Sequence, residues 1–164
     1  MSNVKVFRGS QTDELLYEYN KSTNANVNTL MLASGCYTIV VPAAKSIAID
    51  LNVALTNTFT LSSYPYKALW ATPNYGSLTV SNTLYSEFLS FNVSQNVTVQ
   101  IKIKTFDVSS DGRIEFVNSK SNSVFATHAG QQLKFTNDSV KINYYEKNAG
   151  HYGVSMEVET LKKQ

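Results

Sequence analysis

Two histidines and a pair of aspartates are the residues whose types best suit catalysis or metal binding. His128 and His151 are far apart in sequence, and neither has a second His or Cys at metal-ligand spacing. The segment Asp107-Val-Ser-Ser-Asp111 could offer oxygens to Ca²⁺, but it lacks the alternating acids and the distal Glu of a calcium loop. We therefore predict loop positions for both histidines and a hairpin turn at Asp111-Gly112, with no catalytic residue, metal or cofactor.

The densest group of side chains suited to ligand contact lies between residues 64 and 76. Three tyrosines and the single tryptophan occur there around two prolines: Tyr64, Tyr66, Trp70 and Tyr75. Exposed aromatic side chains on a rigid loop provide a large contact area at low entropy cost, which suits a protein interface or stacking on sugar rings. The same pattern also fits a Trp70 that fills the core beneath the tyrosines, and the sequence leaves these alternatives open.

The elements that position these residues are predicted by alternation of apolar and polar side chains. Four segments follow this period of two: 47–55, 97–104, 140–144 and 152–160. One-sided alternation is typical of antiparallel sheets with one solvated face, and turn signals recur at intervals of about 8–12 residues. We predict an all-β, antiparallel β-sandwich of the jelly-roll or immunoglobulin-like type. Residues 81–91 fit either a short helix or a strand.

The chain shows no linker, repeat or low-complexity tract, so we predict a single β-sandwich domain over residues 1–164. A polar insert at residues 20–28 separates residues 1–19 from the rest, and this first segment could form an extended arm. Leu15, Leu16 and Tyr17 would then add a strand to the sheet edge of a neighbouring subunit. An ordinary first strand followed by a long loop is the alternative.

Composition narrows the classes of partner. Charged residues make up 16% of the chain and the net charge is +2, without a dense Lys/Arg run, so we predict no nucleic-acid partner. The longest apolar stretches are far shorter than the roughly 18 residues that cross a membrane, and the N-terminus lacks the charged-then-apolar pattern of a signal peptide. We therefore predict no membrane partner.

Few charges, abundant Ser, Thr, Asn and Tyr, and no catalytic motif give a profile that resembles small virion proteins of bacterial viruses. The resemblance covers the whole chain and carries no site residues with it. It implies a non-enzymatic capsid-decoration or fibre-associated protein that contacts capsid subunits or itself, on the virion surface or during assembly in the host cytoplasm. The alternative is a carbohydrate-binding module that uses the aromatic segment. The predicted partner surface comprises Tyr64, Tyr66, Trp70, Tyr75, Leu15, Leu16 and Tyr17.

Overall fold

The computed structural model describes residues 3–8, 14–19, 29–31, 37–43, 46, 58–61, 64–72, 75, 85–94, 97–136, 138–148 and 150–163. This part of the chain contains strands and turns. The strands are β1 (Val4–Arg8), β2 (Glu14–Tyr19), β3 (Thr29–Met31), β4 (Tyr37–Val40), β5 (Thr58–Leu61), β6 (Tyr66–Ala71), β7 (Tyr85–Val93), β8 (Val97–Asp107), β9 (Arg113–Asn118), β10 (Ser123–Phe125), β11 (Gln132–Thr136), β12 (Val140–Glu146) and β13 (Gly153–Lys162). Within the same ranges, no helix has the length and apolar character needed to cross a membrane.

The chain divides into two compact units, of which the first comprises residues 1–25 and 34–56. This unit contains an antiparallel sheet of order β2-β1-β4. Val6 and Phe7 of the central strand are buried. Residues 14–19 therefore form a strand paired with β1, in which Leu15 is exposed and Leu16 and Tyr17 are half-buried. Their contact with a neighbouring subunit stays a prediction, as does the single domain over 1–164.

The second unit, residues 26–33 and 57–164, contains two five-stranded sheets of order β10-β9-β12-β7-β5 and β11-β8-β13-β6-β3. All their pairings are antiparallel except the two that add the edge strands β3 and β5, which are parallel. The alternation explains the sandwich, because Val99, Ile101 and Ile103 of β8 are fully buried while Lys102 between them faces outward. The predicted all-β antiparallel sandwich is confirmed.

A single hydrophobic cluster joins the inner faces of these two sheets. Phe91, Phe116 and Ile142 enter it from one sheet, and Val99 and Met156 from the other. The rings of Phe116 and Phe135, one from each sheet, lie 6.3 Å apart between centroids. Each fully buried side chain of this size contributes about 1.5–3 kcal/mol, so the cluster is the main source of stability for this unit.

Three of the four segments predicted from alternation are confirmed as strands β8, β12 and β13. The fourth, 47–55, lies outside the described residues, as do 81–84. The helical alternative for 81–91 is wrong, because β7 begins at Tyr85 and pairs with both β12 and β5. Pairing on both sides and complete burial of Phe91 favour the extended backbone over a short helix.

The hairpin predicted at Asp111-Gly112 is also wrong, although a tight turn is present. The Gly112 N–H donates to the Ser109 carbonyl at 3.0 Å. However, β8 pairs with β11 and β13, whereas β9 pairs with β10 and β12. The turn therefore carries the chain from one sheet to the other.

Candidate interaction surface

The aromatic segment between residues 64 and 75 is mostly a strand rather than a surface loop. Trp70 is 3% exposed and belongs to the core, which is one of the alternatives that the sequence left open. Tyr66 is half-buried against the same core, and its N–H donates to Thr160 Oγ1 at 2.8 Å. Exposed Tyr64 and half-buried Tyr75 lie beyond opposite ends of β6, a strand that spans about 20 Å. These four side chains do not form a shared platform.

At one end of the second unit, the chain at the end of β8 meets the chain at the end of β12: residues 107–112 on one side, and residues 146–148 and 150–152 on the other. We call this region the loop end. Its anchor is Glu146, which is 1% exposed. The carboxylate accepts hydrogen bonds from Ser109 N–H at 2.8 Å and Ser109 Oγ–H at 2.6 Å. It also accepts from the backbone N–H groups of Lys147 and Asn148, at 2.9 and 3.0 Å.

These bonds keep the Glu146 carboxyl ionised despite its burial. Burial alone would raise its pKa, but the bonds from Ser109, Asn148 and Lys147 outweigh that effect and hold the pKa below its ordinary value. Gly112 makes room for the group, since a Cβ there would lie 2.5 Å from Glu146 Oε2 and 3.0 Å from Val108 Cβ. The two loops are therefore fixed to each other through one buried carboxylate.

A second set of contacts in the loop end joins Asp107 to His151 and Tyr152. His151 Nδ1 lies 2.9 Å from Asp107 Oδ1, and the Tyr152 N–H donates to Asp107 Oδ2 at 2.8 Å. The hydrogen bond with His151, followed by that from Tyr152, lowers the pKa of Asp107. His128 lies in a different loop, where its Nδ1 contacts the Ala129 carbonyl at 2.8 Å.

Both histidines therefore occupy loops, as predicted, and the structure brings only His151 to an acid among the described residues. In that same part of the chain, no three His, Cys, Asp or Glu side chains are grouped so that they could hold a metal.

The outer surface of the sheet that contains β13 carries a network of ion pairs, which we call the charged face. Glu157 and Glu159 of β13 lie between lysines of the two neighbouring strands. Lys67 Nζ is 2.7 Å from Glu157 and 3.3 Å from Glu159, and Lys102 Nζ is 3.5 and 2.9 Å from the same two carboxylates. The four charges balance one another on this face.

The outer surface of strands β10, β9 and β12 is different, and we call it the aromatic face. Phe125 pairs with Glu115 across the sheet and its side chain is 46% exposed. Arg113 pairs with Tyr145, and its guanidinium carbon lies 4.5 Å from the centre of the Tyr145 ring. Exposed Lys141 belongs to the same face.

The one carboxylate in this row of the aromatic face is engaged within the chain. Glu115 accepts from Ser123 Oγ–H at 2.7 Å and from Asn143 Nδ2 at 3.1 Å. The bonds from Ser123 and Asn143 lower its pKa. The positive charges of Arg113 and Lys141 lower the same pKa further, so Glu115 also balances part of the positive charge of this face. The sequence pattern did not single out Phe125 or the Arg113–Tyr145 pair.

No family model matches this chain, and no curated protein matches it either. Solved structures do resemble it. The CUB1-EGF-CUB2 domain of human MASP-1/3 is 9% identical, with a TM-score of 0.50 over 97% of this chain and 81% of that one. The CUB1-EGF-CUB2 domains of rat MASP-1 are 10% identical, with a TM-score of 0.49 over 65% of this chain and 44% of that one.

The full extracellular region of zebrafish Gpr126/Adgrg6 is 11% identical, with a TM-score of 0.48 over 66% of this chain. The matched part covers 15% of that region, and in the rat protein it covers 44%. At these identities, the likeness to the human protein concerns the β-sandwich fold alone.

Proposed function

We propose that this chain is a non-enzymatic protein-interaction domain whose aromatic face contacts other protein subunits. The proposal is carried by the exposure of Phe125, whose side chain is 46% accessible and lies near the cation–π pair of Arg113 and Tyr145. Aromatic residues and Arg are enriched in protein interfaces and supply most of their hot spots. A partner that covers Phe125 removes apolar surface from water, which is the main driving force of association.

The polar groups of the aromatic face favour the same function. Glu115 already accepts hydrogen bonds from Ser123 and Asn143, so a partner can cover it without leaving a carboxylate unpaired. The Arg113 guanidinium lies over the Tyr145 ring, and a guanidinium in a cation–π contact can still bind a carboxylate through its N–H groups. The face therefore combines an apolar anchor with an exposed guanidinium that can bind a carboxylate.

In its finer form, the proposal is a virion component of a bacterial virus, either a capsid-decorating or a fibre-associated protein. The support is compositional: only 16% of residues are charged and the net charge is +2. Low charge limits repulsion when many copies sit side by side on a particle. The carbohydrate-binding alternative receives no such support, because it requires the aromatic platform that burial of Trp70 and the separation of Tyr64 from Tyr75 remove.

The test compares two exposed apolar residues on opposite outer faces of the sandwich. Phe125→Ser alters the aromatic face, and Leu161→Ser, at a residue 36% exposed on the sheet that contains β13, is the matched control. The wild type and both variants are each expressed in host cells that assemble the virus particles. The particles are then separated from free protein on a density gradient. We expect wild type and Leu161→Ser to sediment with particles, and Phe125→Ser to remain at the top.

Two accompanying measurements sharpen this experiment. Urea unfolding should show a loss of only about 1–1.5 kcal/mol for Phe125→Ser, since roughly half of the side chain is in water already. A photoreactive phenylalanine analogue at position 125 should cross-link to a particle subunit, whereas the same analogue at exposed Lys134 should not. Equal sedimentation of the two serine variants would refute a role of the aromatic face.

A further inference from the structure

We propose that a second copy of this chain is a partner of the aromatic face, bound about a two-fold axis that passes close to Gly112. The inference rests on the proposed function and adds the identity of an occupant. Its basis is charge complementarity between two adjoining regions, the loop end and the aromatic face. The two regions meet where Gly112 separates Asp111 from Arg113.

Asp111 is the most exposed acid of the loop end. Asp107 is engaged by His151 and the Tyr152 N–H, and Glu146 is buried. Asp111 has a side chain that is 58% exposed, and it lies 3.6 Å from Lys147 Nζ, which is 59% exposed. Exposed ion pairs of this kind contribute about 0–1 kcal/mol, so Asp111 can exchange Lys147 for a better partner at little cost.

Arg113 provides that better partner on another copy. It is exposed on the aromatic face, two residues from Asp111. In a two-fold interface each patch contacts its own copy, so a residue i that meets j on the partner is matched by j meeting i. An axis near Gly112 places Arg113 of each copy opposite Asp111 of the other, which gives two charge-assisted contacts at once.

The apolar part of the contact comes from the same face. Phe125 and Tyr145 lie on the two strands that flank Arg113, and the three side chains project from one side of the sheet. Burial of these rings supplies affinity, while the reciprocal charges fix the orientation of the two copies. The charged face offers no comparable site, because Lys67, Lys102 and the two glutamates of β13 already neutralise one another.

The experiment is charge reversal followed by sedimentation equilibrium and light scattering from about 1 μM to about 1 mM chain, the range of weak to moderate association. We expect the wild type to form a reversible dimer. Arg113→Glu and Asp111→Lys should each raise the dimer dissociation constant at least about tenfold, because each juxtaposes like charges. An equimolar mixture of the two variants should recover wild-type affinity, since both contacts then pair opposite charges.

Lys134→Glu is the control, because it changes net charge as Arg113→Glu does but lies on the opposite sheet. It should leave the dimer unchanged, and near-ultraviolet circular dichroism verifies that all variants are folded. A wild-type chain that stays monomeric up to about 1 mM, or a mixture that fails to associate, overturns the inference.

If the wild type is monomeric while Phe125→Ser still releases the chain from particles, only the inference fails. If the charge-reversal results hold while both serine variants sediment alike, the virion function fails instead.

Discussion

The loop end and the aromatic face adjoin at Gly112, but they use their polar side chains in opposite ways. At the loop end, Glu146 is 1% exposed and accepts four hydrogen bonds from its own chain. On the aromatic face, Phe125 is 46% exposed and Arg113 projects into solvent above the sheet. Glu146 stabilises the fold, whereas Phe125 and Arg113 are exposed, and we propose that a partner covers them. Stability and binding should therefore respond to different substitutions.

The largest difference in stability is expected between two Glu→Gln substitutions, one in each region. Glu146→Gln removes the charge that four donors share and points an amide N–H₂ at some of them, so we expect the free energy of unfolding to fall by about 3 kcal/mol. Glu115→Gln, on the aromatic face, should cost less than about 1 kcal/mol, because water can replace its lost bonds. Urea unfolding of both variants measures the contrast. Equal losses in the free energy of unfolding would show that the two carboxylates contribute equally to stability, contrary to this prediction.

A smaller effect is expected from two glycines. Gly112→Ala places a Cβ against the fixed Glu146 carboxylate, and we expect a loss of about 2 kcal/mol as that group shifts from its donors. Gly150→Ala meets no atom within 4 Å, but Gly150 has a φ of +89°, so the substitution should cost about 1 kcal/mol of backbone strain. Thermal unfolding should rank the two in this order. The reverse order would mean that the carboxylate relocates freely.

The smallest effect is the dependence of stability on pH. The pKa of Glu146 is below its ordinary 4.5 and that of Asp107 below its ordinary 3.8. A carboxyl whose pKa falls on folding stabilises the fold above its unfolded pKa, and this contribution disappears as pH drops through the folded pKa. The free energy of unfolding should hold steady down to about pH 5 and then decline. Glu146→Gln should flatten that decline, and an unchanged slope would assign it to other acids.

Local pattern was sufficient to predict the strands and the class of fold. Apolar and polar residues alternate along β8, β12 and β13, and this alternation predicts the buried face of each strand without reference to its neighbours. The same period places Ala68 and Trp70 on one face of β6, and this is the signal by which burial of Trp70 could have been found. Turn residues predicted that the chain bends at Asp111-Gly112, but a turn motif does not specify which sheet the next strand joins.

The residues of the candidate surface could not be predicted, because they come together through the order of strands in the sheets, and local sequence patterns do not specify that order. Glu146 and Ser109 are 37 residues apart, and they meet because β12 pairs with β9, which follows the Ser109 turn. His151 and Asp107 are 44 residues apart, and they meet because β13 pairs with β8. Phe125 is the last residue of β10. Its exposure follows from the position of β10 at the edge of its sheet, and alternation carries no information about edges.

The central position of β13 determines when the second unit can fold during biosynthesis. β13 lies between β8 and β6, and Met156 and Val158 fill the core from it. Until Lys162 has been synthesised, the sheet that contains β13 consists of two separate pairs of strands, β11 with β8 and β6 with β3. The inner apolar faces of β8 and β6 then lack the strand that lies between them. The first unit has all its residues once position 56 is made. Synthesis of the stretch from the end of β8 to Lys162 takes about 3–11 s at ordinary elongation rates. During this time the nascent chain exposes an open, aggregation-prone sandwich that a chaperone can protect.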